Sequence, residues 1–266
     1  MPYGWIDATK FSFNTLLLFD RWIIRTIARN KNPEFNQNLA IALSGNPAVF
    51  WYFINKCLEY AEHFSSLLKT APTNCSPEEI RASEVFILNE LDSFVVYVYP
   101  ELMEELTYIK DWDRQRLLSI TDFTGKTVLD IGAGTGRLTF AAAPFARYVY
   151  ASEPVDRLRE YMREKQQRLD IKNVYVIDGT IASIPLPDEF FNIVMSGHVF
   201  GENYDLEWQE MSRVTKHGGW VIDCPGEDDR KRPDGPSKEI LQLGFEYAHY
   251  VSKTGGDVYR YWKQKK

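Results

Sequence analysis

The stretch VLDIGAGTGRLT, from Val128 to Thr139, joins an apolar run to an acid, Asp130, and then to glycines at 132, 134 and 136 before a helical pattern resumes. It predicts a strand ending at Asp130, a sharp turn and a helix. Glycine suits such a turn because it takes unusual dihedrals and leaves no Cβ in the way of an approaching ligand. In parallel sheets that turn lies at the carboxyl edge, where ligands bind. The helix start beyond it should offer unpaired N–H groups to an anionic group such as a carboxylate.

A dinucleotide fingerprint needs GxGxxG, with a small third residue that lets the helix close on the strand. Counted from Gly134, that position holds the bulky Arg137, so the fingerprint fails. A phosphate-binding P-loop fails too, because no Gly-Lys-Ser/Thr follows the glycines.

From residue 126 onward, short apolar runs alternate with helical segments, which is the pattern of an α/β domain on a parallel sheet. TVLDIG, YVYASE, VYVIDG, FNIVMSG and GWVIDCPG are the five successive strands, with DRLREYMREKQQRL and DLEWQEMSRVTK as intervening helices. Two alternating runs around Gly255 and Gly256 predict an antiparallel pair joined by a tight turn.

The acid-GxGxG arrangement resembles motif I of the class I S-adenosylmethionine-dependent methyltransferases, and the resemblance runs over residues 111 to 266. In that family an acid closing the second strand binds both ribose hydroxyls. YASEPVDRL puts Glu153 there, with Pro154 and Val155 beside it. VIDGTIASIPLPDEFFNIVMSGHVF is similar to the third-to-fourth-strand region of the quinone-biosynthesis-like, type 11 branch. Gly179 fills the glycine slot, Thr180 stands where that branch has an adenine-contacting Asp, and either Thr180 or Asp178 could supply the contact. Asp188 and Asn192 occupy two later acidic positions. EWQEMSRVTKHGGWVIDCPG resembles the ExxRVLKPGG turn, with His217 in place of the proline.

The resemblance implies a Rossmann-like α/β fold with a seven-stranded, mostly parallel sheet and an antiparallel C-terminal strand pair. The implied cofactor is S-adenosyl-L-methionine, with S-adenosyl-L-homocysteine as product. The implied cofactor site is Asp130, Gly132, Ala133, Gly134, Gly136, Glu153, Pro154, Asp178, Gly179, Thr180 and Ser196. His198, in MSGHVFG after the fourth strand, falls where the family faces the transferred methyl and is the catalytic candidate, as a base or as a positioning group.

Other acceptors fit less well. Amino-methylating nucleic-acid enzymes carry an Asp/Asn-Pro-Pro-aromatic tetrad where this chain reads MSGH. The cytosine C5 type needs a Pro-Cys nucleophile, whereas Cys224 precedes its proline. Protein arginine methyltransferases need a paired-glutamate loop, and Glu202 stands alone. A small-molecule acceptor is therefore expected. His63 and His249 lack ligand-spaced partners and no HExxH occurs, so no metal is expected. A cofactor-binding protein without turnover, acting as an interaction module through its N-terminal helices, is the competing reading.

Composition agrees with a folded, soluble chain. Its 266 residues can bury a core, and 44% hydrophobic with 26% charged residues is ordinary globular usage. The net charge of −6 leaves no basic footprint for nucleic acid. Arg230, Lys231 and Arg232 follow Glu227, Asp228 and Asp229 directly and read as a solvated charged loop. Three widely spaced cysteines suggest neither a disulfide framework nor zinc, and the N-terminus lacks the organisation of a secretory signal, so a cytoplasmic location is expected.

Residues 1–110 read as a helical extension or lid, with 111–266 as the catalytic domain. Within the extension, TLLLFDRWIIRTIA predicts one amphipathic helix, too short and too charged to span a bilayer. Ser76, Pro77 and Glu79 form a helix-start signature, and SFVVYVY before Pro100 is assigned to helix. ELMEELTYIKDWDRQRLLSI predicts a further helix leading into the sheet. A homodimer through the N-terminal helices is the rival use of the extension.

Overall fold

The structure is a computed structural model and describes residues 4–227 and 230–266. Two compact units divide it, Met1–Pro100 and Glu101–Lys266, so the division falls ahead of the boundary expected after residue 110.

The first unit is helical: α1 (Arg21–Ala28), α2 (Pro33–Gly45), α3 (Pro47–Lys56), α4 (Ala61–Leu68), α5 (Pro77–Glu90) and α6 (Asp92–Val98). α5 starts as its sequence predicts. Ser76 Oγ accepts from Glu79 N and the Glu79 carboxylate accepts from Ser76 N, the reciprocal capping box. SFVVYVY lies in α6 with Val95, Val96 and Val98 buried. The single helix expected over 15–28 is instead a 3-10 turn, Phe13–Leu18, followed by α1. Asp20 Oδ1 accepts from Ile23 N and caps a new helix there, which outweighs the continuous apolar period. α2 packs against α5, and a Cβ on Gly45 would sit 2.5 Å from the Ile80 side chain, so the glycine permits the close approach.

From the last residue of the first unit onward come short helices α7 (Pro100–Glu105), α8 (Thr107–Lys110) and α9 (Gln115–Leu118) where one longer helix was expected. Leu106 is extended at φ −66°, ψ 139°, and breaks the helical run. Then follow β1 (Thr127–Ile131), α10 (Arg137–Ala142), β2 (Tyr148–Ser152), α11 (Asp156–Arg168), β3 (Val174–Ile177), β4 (Phe191–Ser196), α12 (Tyr204–Val214), β5 (Thr215–Asp223), α13 (Lys238–Gln242), β6 (Glu246–Val251) and β7 (Asp257–Gln264).

The seven strands form one sheet in the order β3-β2-β1-β4-β5-β7-β6. β1 to β5 pair in parallel, whereas β7 runs antiparallel to both β5 and β6. β1 buries both faces: Val128 joins the core with Leu138, Val149 and Ile193, while Leu129 and Ile131 join Phe191, Val194 and Met211 on the other side. Alternate residues of a strand point to opposite faces, so a doubly covered strand reads as the near-continuous apolar run seen in the sequence. The chain leaves β1 towards β2 and β3 on one side and later places β4 and β5 on the other. That reversal creates a crevice at the carboxyl end of β1 and β4.

The fold also gives roles to several flagged residues. Asn192 Oδ1 accepts from Thr127 N and ties β4 to the start of β1. Arg213 donates to Asp188, Glu210 and the carbonyls of Ile184 and Leu186, pinning the segment between β3 and β4. Glu227 departs from the solvated-loop expectation, since its carboxylate is buried and pairs with Arg116 at 2.5 Å. Asp228 and Asp229, the other acids of that run, lie outside the described residues. Among the described residues no helix is long and apolar enough to cross a membrane.

Candidate functional site

Five segments meet at the carboxyl edge of the sheet: the turn after β1, the end of β2, the segment after β3, and those after β4 and β5. In the first, Gly132, Gly134 and Gly136 all have positive φ, 63°, 58° and 89°, so the alternating glycines are a backbone requirement. Asp130 lies inside β1 rather than at its end. Its buried carboxylate accepts from Thr139 Oγ1 at 2.6 Å and fastens α10 to the strand. Burial pushes its pKa up to about 6, against the lowering effect of the Thr139 hydrogen bond and the Arg137 charge.

The amides of the turn are largely committed within the protein. Gly132 N and Ala133 N both donate to Ser152 O, at 2.8 and 3.1 Å, and Gly134 N donates to Glu153 Oε2 at 2.9 Å. The turn therefore contributes shape and room at these three positions.

Glu153 directly follows β2 and is buried. Its two oxygens are held apart, Oε2 by Gly134 N and Oε1 by Val155 N, both at 2.9 Å. Each oxygen keeps a further lone pair. Burial raises the pKa to about 7, although both amide hydrogen bonds and Arg159 favour the ionised form. Pro154 lies half-buried beside it. Beyond β3, Asp178 is exposed and 3.3 Å from Arg159, whose Nη1 also donates to Glu153 O. A Cβ on Gly179 would fall 2.6 Å from Ser152 Oγ, so this glycine is needed for close packing; Thr180 forms an isolated bridge with Ser183.

Ser196, at the end of β4, is fully buried and donates to Asp223 Oδ1 at 2.9 Å. Its hydroxyl belongs to the crevice floor. Asp223 is itself raised to about 7 by burial. His198 is exposed, at φ 75°, with its Nε2 accepting from Gly226 N at 3.0 Å and its ring edge-on to Tyr108 at 5.5 Å. An Nε2 that accepts implies a neutral ring with its proton on Nδ1. The hydrogen bond ties the segment after β4 to the one after β5.

Three contributors escaped sequence reasoning. Arg137 figured only as the residue that spoils a dinucleotide motif, yet it lines the crevice with Gly132, Thr135, Gly197 and His198. Met103 and Tyr108 also line it. Met103 covers the glycine turn, since a Cβ on Gly134 would lie 2.9 Å from its Cε. The enclosed space is about 30 Å³, room for about one water against several hundred Å³ for a nucleoside-sized ligand. Met103 thus occupies the space over the turn.

The crevice fits an adenosyl cofactor in other respects. A carboxylate with two separated oxygens stands at the end of β2, the turn beside it has no side chains at three positions, and Thr135 Oγ1 and Arg137 Nη1 are buried polar atoms with no hydrogen-bond partner.

Comparison with known proteins agrees with this architecture. Residues 129–223 match the family described as Methyltransferase domain. An uncharacterized methyltransferase of Anoxybacillus flavithermus is 31% identical over 110 residues, 40% of this chain and 50% of that protein. A demethylmenaquinone methyltransferase of a Geobacillus species is 30% identical over 118 residues, covering 42% and 50% respectively. The chain thus spans half the length of these curated relatives. The crystal structure of a SAM-dependent methyltransferase from Aquifex aeolicus superposes with a TM-score of 0.50 at 20% identity, over 62% of this chain and 96% of that one, which is a likeness of fold. With the β3-β2-β1-β4-β5-β7-β6 sheet, the glycine turn and the acid after β2, residues 129–223 of the second unit are similar to the S-adenosylmethionine-dependent methyltransferase domains of the type 11 branch.

Proposed function

We propose that this chain transfers a methyl group from S-adenosylmethionine to a small-molecule acceptor, and that the residues holding the cofactor are those gathered around Glu153. The observation that carries the reading is the Glu153 carboxylate, buried beside the glycine turn and held by two backbone amides with one oxygen on each. Two vicinal hydroxyls match two separated acceptors, and ionised acceptors give the stronger hydrogen bonds. The glycine turn leaves room beside it, and the half-buried Pro154 supplies apolar surface for a purine.

The bound cofactor brings an already activated sulfonium methyl. The chain's own task is accordingly to orient, to exclude water and to accept or steer one proton at most. Met103 and Tyr108 cover the crevice and serve the exclusion of water. His198 enters as a positioning group, because its Nε2 lone pair is already given to Gly226 N. A small acceptor suits the segment after β4, Gly197-His198-Val199-Phe200, which has no Pro-Pro-aromatic grip for a base amine. The demethylmenaquinone methyltransferase among the relatives supports the same acceptor class. A cytoplasmic setting belongs with this reading, since Cys57, Cys75 and Cys224 stand as free thiols.

Calorimetric titration with S-adenosylhomocysteine tests the cofactor site. Wild type should bind it, and Glu153→Ala and Gly134→Val should each weaken binding at least tenfold. At Gly134 a side chain meets both a positive φ and the Met103 methyl. Unchanged affinity in either folded variant would overturn the assignment. Labelled methyl transfer into a metabolite pool tests the acceptor class, and label appearing only in protein or nucleic acid would refute it.

A further inference from the structure

We infer that Arg137 receives the carboxylate of the cofactor's methionyl tail, an assignment that rests on the cofactor reading above and names the group that reads its amino-acid end. Arg137 follows Gly136 directly and opens α10. Its guanidinium stacks on Trp112, 4.5 Å from the ring centroid, and Nη2 donates to Cys224 O at 2.9 Å. A Cβ on Gly197 would lie 2.5 Å from Nη2, so the guanidinium has its place between the segments after β4 and β5 only because that residue is glycine. One end of the fork is fixed.

The other end has no partner. Nη1 is buried and makes no hydrogen bond, and among the described residues no carboxylate stands within 4.0 Å of this guanidinium as an ion pair. The nearby acids make their hydrogen bonds elsewhere: Asp130 accepts from Thr139, and Asp223 accepts from Ser196. Burial raises both carboxyls, to about 6 and about 7 against the pull of the Arg137 charge, so at neutral pH Asp223 is only about half ionised.

A buried guanidinium remains ionised, and leaving it unpaired is costly. The group that lowers that cost is an anion with planar oxygens, since guanidinium and carboxylate match as forks. The same crevice contains the glycine turn and Thr135, whose Oγ1 is also buried without a partner. Arg137 therefore lines the same crevice as the glycine turn, where an adenosyl ligand's carboxylate can meet it. Trp112 and Cys224 O hold the guanidinium in place, so little side-chain entropy is lost when the anion arrives.

The test removes the carboxylate from the ligand as well as the arginine from the protein. S-adenosylhomocysteine and its decarboxylated analogue are titrated into wild type, Arg137→Gln and Arg137→Lys. Wild type should prefer the carboxylate-bearing ligand at least tenfold. In Arg137→Gln that preference should shrink to less than threefold, with affinity for the decarboxylated analogue unchanged, and Arg137→Lys should lie between. If wild type fails to discriminate, or if Arg137→Gln weakens both ligands alike, the arginine is a brace between Trp112 and Cys224 and the inference fails. The wild-type comparison decides the matter even where a variant does not fold. Wild-type protein that takes up neither nucleoside refutes the cofactor reading itself, and this assignment with it.

Discussion

Glu153 offers the sharpest test, because its position should leave a mark on stability as well as on binding. Its pKa in the native protein is about 7, against an ordinary value of 4.5, and burial is the dominant cause. Between those values the native state holds a proton that the unfolded chain has released. Stability should therefore fall as pH rises, starting near 4.5 and levelling off above 7. At about 1.4 kcal/mol per tenfold change in proton affinity, the loss attributable to this one group is up to about 3 kcal/mol. Glu153→Gln cannot titrate. Its amide nitrogen faces a backbone N–H where an oxygen used to accept, a penalty of about 1–3 kcal/mol that does not vary with pH. The discriminating quantity is thus the gap between wild type and variant, measured by urea unfolding at pH 5 and pH 8. That gap should shift by up to about 3 kcal/mol in the variant's favour at the higher pH. Asp130 and Asp223 titrate in the same window but are present in both proteins, so to first order they cancel. Wild-type affinity for S-adenosylhomocysteine should also climb as pH approaches 7 and flatten above it, because ribose hydroxyls donate to the ionised form. Parallel stability curves for the two proteins would refute the reasoning.

The two other predictions concern the acceptor side. Glu207 is buried and its carboxylate accepts from the backbone N–H of Gly201, Glu202 and Asn203, at 2.8, 3.1 and 2.9 Å, so it shapes the segment after β4. Glu207→Ala should lower unfolding stability by about 2–4 kcal/mol, and a change below about 0.5 kcal/mol would contradict that role. His198→Ala should reduce turnover while leaving S-adenosylhomocysteine affinity within twofold. His198→Gln, whose side-chain oxygen can still accept from Gly226 N, should restore most of the turnover if the ring positions and none if it is a base.

Much of the second unit was legible from sequence because its signals are local and agree with one another. Apolar runs mark β1 to β5, the positive-φ glycines mark the turn, and the acid after YVYAS marks the end of β2. Legibility failed where local and distant interactions compete. Asp20 looks like a polar interruption in an amphipathic helix, but it caps a new one. Glu227 looks like one acid in a charged loop, but Arg116, more than a hundred residues earlier, draws it into the interior. Arg137 depends on Trp112, Gly197 and Cys224, which no spacing rule connects. Ser196 stood at the right strand end, yet its hydroxyl turns into the floor, because Asp223 on the neighbouring strand accepts it.

Met103 has a kinetic consequence. If a nucleoside can enter only after this thioether leaves the glycine turn, apparent affinity drops in proportion to how rare the open form is. Uptake should then plateau with rising ligand concentration at the rate of Met103's departure, instead of climbing without bound. The spent nucleoside must leave past the same thioether, so its escape competes with chemistry for the slow step of each turnover.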